Sequence, residues 1–172
     1  MIRAATSADT DRLAQIYNHY VTNTIISFEE VALSHMEMAA RLQSIESLGL
    51  PWLVIEEEGL IQGFAYASNW KVRHAYRYSV EISAYLAPEA QSKGYGTQLY
   101  RALFQALKSG KAPHRPHAVI ACIALPNDKS IALHKKFGMR EVGYFKEVGY
   151  KFDRWVDVAY WQVNLDSIDC EG

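Results

Sequence analysis

Residues 91–97 read Gln91-Ser92-Lys93-Gly94-Tyr95-Gly96-Thr97, between a strand-like run at 78–86 and a helix-like run at 99–107. Strand, glycine-rich turn and helix in that order turn backbone N–H groups toward an anion at the helix N-terminus. Gly94 and Gly96 lack a Cβ, so a phosphate can approach the main chain, and Lys93 adds a cation. Taken alone, the turn fits either a pyrophosphate-bearing ligand or a tight strand-to-helix connection. It has neither the Gly-x-x-x-x-Gly-Lys-[Ser/Thr] spacing of a P-loop nor the third glycine of a dinucleotide fingerprint, where Leu99 stands instead. Just upstream, Glu81 sits between Val80 and Ile82. A carboxylate in apolar surroundings has a raised pKa and accepts a proton near neutrality; one that is solvated, or paired with Arg77, does not. His114-Arg115-Pro116-His117 has no Cys or carboxylate cluster beside it, so no metal site is expected. No motif argues for a Ser-His-Asp or paired-carboxylate hydrolase.

The elements that must position these residues follow from periodicity. A short strand is expected over 2–5 and a helix over 9–20, with Leu13, Ile16, Tyr17 and Tyr20 on one face. Ser34-His35-Met36-Glu37 has capping-box spacing and opens a second helix that Gly49 stops. Runs at 52–56 and 60–68 read as strands joined by a hairpin at Glu58-Gly59. The strand at 78–86 ends before Pro88, and the helix carrying Leu99, Leu103 and Leu107 ends at Gly110. Residues 118–124 are apolar throughout, as a central strand requires. A short helix over 129–137, stopped by Gly138, precedes two strands over 144–150 and 155–165. The order β-α-α-β-β-β-α-β-α-β-β is mixed α/β around one sheet, mostly antiparallel with about four helices, and not an alternating doubly wound fold.

Further motifs accompany the turn. Leu125-Pro126-Asn127-Asp128-Lys129-Ser130 and Leu133-His134 follow about thirty residues on, and with Gln-x-x-Gly-x-Gly after a strand they resemble the GNAT acetyltransferase superfamily. Thr24-Ile25-Ile26-Ser27-Phe28-Glu29, Pro51-Trp52-Leu53-Val54, Gly63-Phe64-Ala65-Tyr66-Ala67 and Arg73-His74-Ala75-Tyr76 are similar to its phosphinothricin and methionine sulfoximine N-acetyltransferase branch. So are Val80-Glu81, Gly149-Tyr150-Lys151 and Trp155-Val156-Asp157-Val158. The resemblance runs from Ile2 to about Leu165.

The resemblance implies transfer of an acetyl group from acetyl-CoA to the α-amino group of a small amino-acid analogue, by direct attack in a ternary complex. Acetylated phosphinothricin or methionine sulfoximine would lose a group needed to mimic the tetrahedral intermediate of glutamine synthesis, and so be detoxified. Glu81 becomes the base or a ligand of the substrate amine. Ala84, Tyr85 and Leu86 would offer backbone groups to a pantetheine arm that adds as an extra strand. Gln91, Ser92, Lys93, Gly94, Tyr95, Gly96 and Thr97 would hold the pyrophosphate. Asn127 reads as a helix N-cap and as a cofactor ligand. Ser130 and His134 share a helix face; His134 reads either as the acid for the departing thiolate or as a packing histidine. On the acceptor side, Arg73 can grip a carboxylate bidentately, with Tyr76 and Tyr78 beside it. Phe28 reads as lid or core, and Lys151 as a substrate contact. Ile82, Ala84 and Leu86 stand where the branch tends to have Ser/Thr, Val and Val, and Met139 where an aromatic is frequent; these bear on pocket shape.

At 172 residues, 49% of them apolar, one domain over 1–166 with a polar tail at 167–172 is expected. The net charge of −1 gives no sign of a nucleic-acid or membrane surface. No signal-peptide core opens the chain, and Cys122 and Cys170 do not form a disulfide framework, so a cytoplasmic protein is expected. The resemblance implies a homodimer. Rival functions are a GNAT enzyme for another amine (polyamine, aminoglycoside or protein N-terminus) and a non-catalytic acyl-CoA sensor. A cationic Arg73 beside the acceptor would repel cationic substrates.

Overall fold

The computed structural model describes residues 1–110 and 112–169; Cys170 and the end of the tail lie outside them. The elements follow the expected order: β1 (Ile2–Ala4), α1 (Thr10–Asn23), α2 (His35–Ser47), β2 (Trp52–Glu57), β3 (Leu60–Asn69), β4 (Ser79–Leu86), α3 (Tyr95–Ser109), β5 (Ala118–Ala124), α4 (Asp128–Lys136), β6 (Arg140–Lys151) and β7 (Arg154–Asn164). The strands form one mixed sheet in the order β1-β2-β3-β4-β5-β7-β6. Among the described residues only the β4–β5 pair is parallel.

Local chemistry accounts for the boundaries. The Ser34 hydroxyl accepts the Glu37 N–H at 3.2 Å, while the Glu37 carboxylate accepts the Ser34 N–H at 2.7 Å, so α2 begins with both orphan donors satisfied. Glu58 and Gly59 take φ values of 52° and 78°, the left-handed pair of a two-residue hairpin turn. α3 begins at Tyr95, earlier than the apolar stripe suggests, because Gly94 caps it at φ 81°. β6 begins at Arg140 rather than 144 and interrupts its register with β7 at 141/143 and 145/149. Its first residues are exposed, so the ladder with β7, not an apolar alternation, defines this part of the strand.

Opposite faces of β4 meet different helices. A Cβ at Gly96 of α3 would touch Leu86 and Leu133, whereas the Tyr85 ring meets Tyr17 of α1 edge-on at 4.9 Å. By strand alternation Val80, Ile82, Ala84 and Leu86 therefore face α3, and Glu81 and Ser83 share the α1 side with Tyr85. α3 buries Leu99, Tyr100, Leu103, Phe104 and Leu107 against the sheet. At the C-terminal end, Ile168 is buried, and its carbonyl accepts from Lys108 at 2.6 Å.

Candidate active site

β4 pairs with β5 only at Ser79↔Ala118, Val80↔Val119 and Glu81↔Ile120. Beyond Glu81, β4 stays with β3 as far as Gly63↔Leu86, while β5 stays with β7 as far as Ala124↔Val158. The two parallel strands therefore part and open a V. Ala87 N–H donates to Gln62 at 2.8 Å. Counting back along that ladder, Tyr85 and Ser83 bond to β3, and Ala84 and Leu86 turn their N–H and C=O groups into the gap. Tyr85, expected to offer backbone to a ligand, does not do so: the pleat points its main chain at β3. Leu86 is already engaged, because the Tyr20 hydroxyl donates to its carbonyl at 2.6 Å and accepts its N–H at 3.3 Å. Ala84 remains as the backbone edge that an extended ligand can join.

The gap widens into a cleft of about 450 Å³. Of the residues singled out from the sequence, Ala84, Leu86, Gln91, Ser92, Gly94, Gly96, Thr97, Asn127, Ser130 and His134 line it. Ser92 and Gly94 both take positive φ, at 64° and 81°, which curls the main chain into an anion-binding concavity at the start of a 15-residue helix. Gly96 allows close packing: a Cβ would lie 3.3 Å from Leu133. The side chains of Lys93 and Tyr95 turn elsewhere. Lys93 Nζ is 3.9 Å from the Glu57 carboxylate, and Tyr95 is buried in a separate crevice beside Glu57. As they lie, neither side chain lines the cleft, and what they offer a phosphate there is backbone N–H. Asn127 caps α4, accepting the Ser130 N–H at 3.2 Å. Concavity, helix N-terminus and free strand edge fit a diphosphate joined to an extended amide-bearing arm.

Tyr20, Ile26, Tyr100, Lys129, Leu133 and Lys136 also line the cleft, and sequence reasoning did not place them there. By spacing Tyr20 belongs to the apolar stripe of α1. The signal was its hydroxyl, which needs a partner when buried. Lys129 and Lys136 supply the cations that Lys93 does not; Lys129 donates to Gln91 at 3.2 Å.

Glu81 lies on the other face, at the point where β4 and β5 diverge. Burial raises its pKa, partly offset by the Lys71 charge. It has no ion-pair partner among the described residues, and Arg77 instead lies over the Tyr78 ring at 4.4 Å. Cys122 follows Ile120 on this face and is exposed, with Tyr160 opposite it on β7. The helices therefore leave an approach to Glu81 open. Arg73, Tyr76 and Tyr78 belong to the β3–β4 connection and are exposed. Its two ends converge at Asn69↔Val80, next to Glu81.

The 24–29 segment closes one end. Ile25 packs with Ala124 and Val156, and Ile26 reaches the cleft. The Phe28 ring lies against Gly149, where a Cβ would come within 2.3 Å of it. Lys151, expected to contact substrate, is only 2% exposed and donates to the carbonyls of Val21 and Ser27 at 2.7 and 2.6 Å. It ties this segment to β6.

Residues 2–160 match the acetyltransferase (GNAT) domain family, and the chain belongs to it: the protein is an acetyl-CoA-dependent N-acetyltransferase. It is 36% identical over 165 residues to a phosphinothricin N-acetyltransferase of Streptomyces viridochromogenes, covering 96% of this chain and 87% of that one. It is 35% identical over 167 residues to an L-methionine sulfoximine/L-methionine sulfone acetyltransferase of Salmonella typhimurium, covering 96% and 95%. The crystal structure of a GNAT superfamily phosphinothricin acetyltransferase from Sinorhizobium meliloti in complex with acetyl-CoA superposes with a TM-score of 0.89 at 37% identity, covering 95% of this chain and 87% of that one.

Proposed function

We propose that the enzyme acetylates the α-amino group of a small amino-acid analogue of the phosphinothricin and methionine sulfoximine class, and so detoxifies it. The observation that carries this reading is Glu81: half-buried, unpaired, its pKa raised, and set where β4 and β5 part. An aliphatic ammonium must lose a proton before it attacks, and a carboxylate of raised pKa in reach of it can take that proton, directly or through water. Acetyl-CoA lies in the cleft between α3 and α4, its arm along Ala84 and its diphosphate at residues 92–97. The acceptor approaches from the opposite face, with its carboxylate toward Arg73. The two curated relatives named above act on substrates of this class, which supports the choice. The reaction is direct transfer in a ternary complex. We also propose that it proceeds in the cytoplasm, and in a homodimer, the dimer being supported by the half-exposed aromatic rings of Tyr144, Phe145, Tyr150 and Trp155 on β6 and β7.

Thiol release from acetyl-CoA, followed with L-phosphinothricin, L-methionine sulfoximine, glutamate, spermidine and an aminoglycoside, tests the assignment. Turnover with the first two alone is expected. Turnover only with spermidine or the aminoglycoside would keep the chemistry and overturn the acceptor.

A further inference from the structure

His134 on α4 and Tyr100 on α3 meet at the wall of the cleft, and their hydrogen bonds define where the protons sit. The imidazole Nδ1 is 2.7 Å from the Ser130 carbonyl oxygen and 3.3 Å from the Ser130 hydroxyl. A peptide carbonyl only accepts, so Nδ1 carries the hydrogen. Nε2 lies 3.1 Å from the Tyr100 hydroxyl. The two residues are 4% and 2% exposed, and Phe104 and Phe137 flank the Tyr100 ring. Such surroundings disfavour a cation, and burial holds the imidazole pKa below its usual value. A neutral ring with its hydrogen on Nδ1 has a bare lone pair at Nε2, so the Tyr100 O–H donates to it. That commits the tyrosine hydrogen to α4 and leaves the oxygen lone pairs for the cleft, which both residues line.

We infer that Tyr100, positioned by His134, is a fixed hydrogen-bond acceptor for an amide N–H of the acetyl-CoA arm, and that this pair is not the proton donor to the departing sulfur. The transfer balances without such a donor. The ammonium gives one proton to Glu81 and on to water; as the C–N bond forms and the C–S bond breaks with its electron pair on sulfur, the nitrogen loses its second proton by the same route, and the thiolate takes one proton from water in the open cleft. A thiol of pKa about 8.5 is a competent leaving group as its anion. Only the amine-proton step rests on the function proposed above; the hydrogen-bond assignment does not.

Nitrogen-15 NMR of histidine-labelled wild-type protein at pH 7 tests it, with the His134 signal assigned by its loss in His134→Gln. A neutral ring protonated on Nδ1, unchanged on saturation with acetyl-CoA, is expected. A ring protonated on Nε2, or on both nitrogens, would overturn the assignment. By calorimetry Tyr100→Phe should bind acetyl-CoA about fivefold more weakly, the effect of one lost neutral hydrogen bond, with kcat reduced no more than about threefold. A loss of kcat of about a hundredfold at unchanged acetyl-CoA affinity would mark a proton donor and contradict the inference. The NMR measurement needs no variant to be active, and neither it nor the calorimetry involves an amine, so a wrong acceptor assignment would leave both intact.

Discussion

Glu81 has opposite consequences for stability and for activity. Its folded-state pKa lies above its ordinary value, chiefly through burial. A raised carboxylate favours the folded state below its unfolded pKa, and that advantage is lost as pH rises through the folded pKa. Above its folded-state pKa the charged Glu81 therefore works against folding. Glu81→Gln should unfold at a higher temperature than wild type at pH 8, with the difference vanishing near pH 4; an equal or lower Tm at pH 8 would mean that the carboxylate is satisfied in the folded state. The position of this residue could be read from the chain: one acid between apolar neighbours, just before a glycine turn. Its isolation could not, because Arg77 is only four residues away and its engagement with Tyr78 depends on how the β3–β4 connection folds. Lys151 illustrates the same limit. Nothing local distinguishes a lysine that greets a substrate from one whose carbonyl partners lie more than a hundred residues earlier.

At the scale of elements, the 24–29 segment is held by β6 in two ways, through Phe28 on Gly149 and through Lys151. Lys151→Met would leave the carbonyls of Val21 and Ser27 without their donor. Urea denaturation should register a loss of about 1–3 kcal/mol, and the acceptor KM should rise more than the acetyl-CoA KM. Equal rises would place the effect in the cleft instead. Gly149→Ala forces the Phe28 ring outward and should cost about 1–2 kcal/mol. In the double-mutant cycle with Phe28→Ala that penalty should largely disappear, since the three nearest atoms to the added Cβ all belong to this ring; a penalty that persists would point to the backbone. Helices and interior strands were legible because their apolar stripes are strong: Leu99, Leu103 and Leu107 on α3, and the whole of β5. That a ligand arm would add as a strand beside β4 was expected only by resemblance. Ala84, Tyr85 and Leu86 read as an ordinary buried strand, and which backbone groups face the gap follows from the ladder with β3, a non-local fact.

At the scale of the whole molecule, one sheet divides two tasks between its faces. The α3–α4 face builds the cleft for the acyl donor, and the α1 face presents Glu81 beside an uncovered region of β5 and β7. The β6–β7 ribbon beyond it carries exposed aromatic rings on both faces: Phe145 beside Tyr160 on the Glu81 face, and Tyr144 and Trp155, 53% and 62% exposed, on the other. A second copy covering it should give a dimer by sedimentation equilibrium at micromolar concentration, and Trp155→Glu should shift the equilibrium toward monomer with the far-UV spectrum intact. A monomeric wild type at tens of micromolar would contradict the dimer. The order of elements was legible throughout, since turn residues and caps mark nearly every boundary. The edge strand β6 was legible only in part, because its exposed residues follow pairing with β7 rather than burial.

The central claim is that Glu81 takes the proton from an amino-acid amine attacking acetyl-CoA. It is tested most directly by thiol release with L-methionine sulfoximine at saturating acetyl-CoA, wild type against Glu81→Gln, with acetyl-CoA affinity measured on both. The expected result is a loss of kcat of about a hundredfold or more with acetyl-CoA affinity within about twofold of wild type, since the cleft lies on the other face. Turnover by Glu81→Gln equal to wild type would remove Glu81 from the chemistry.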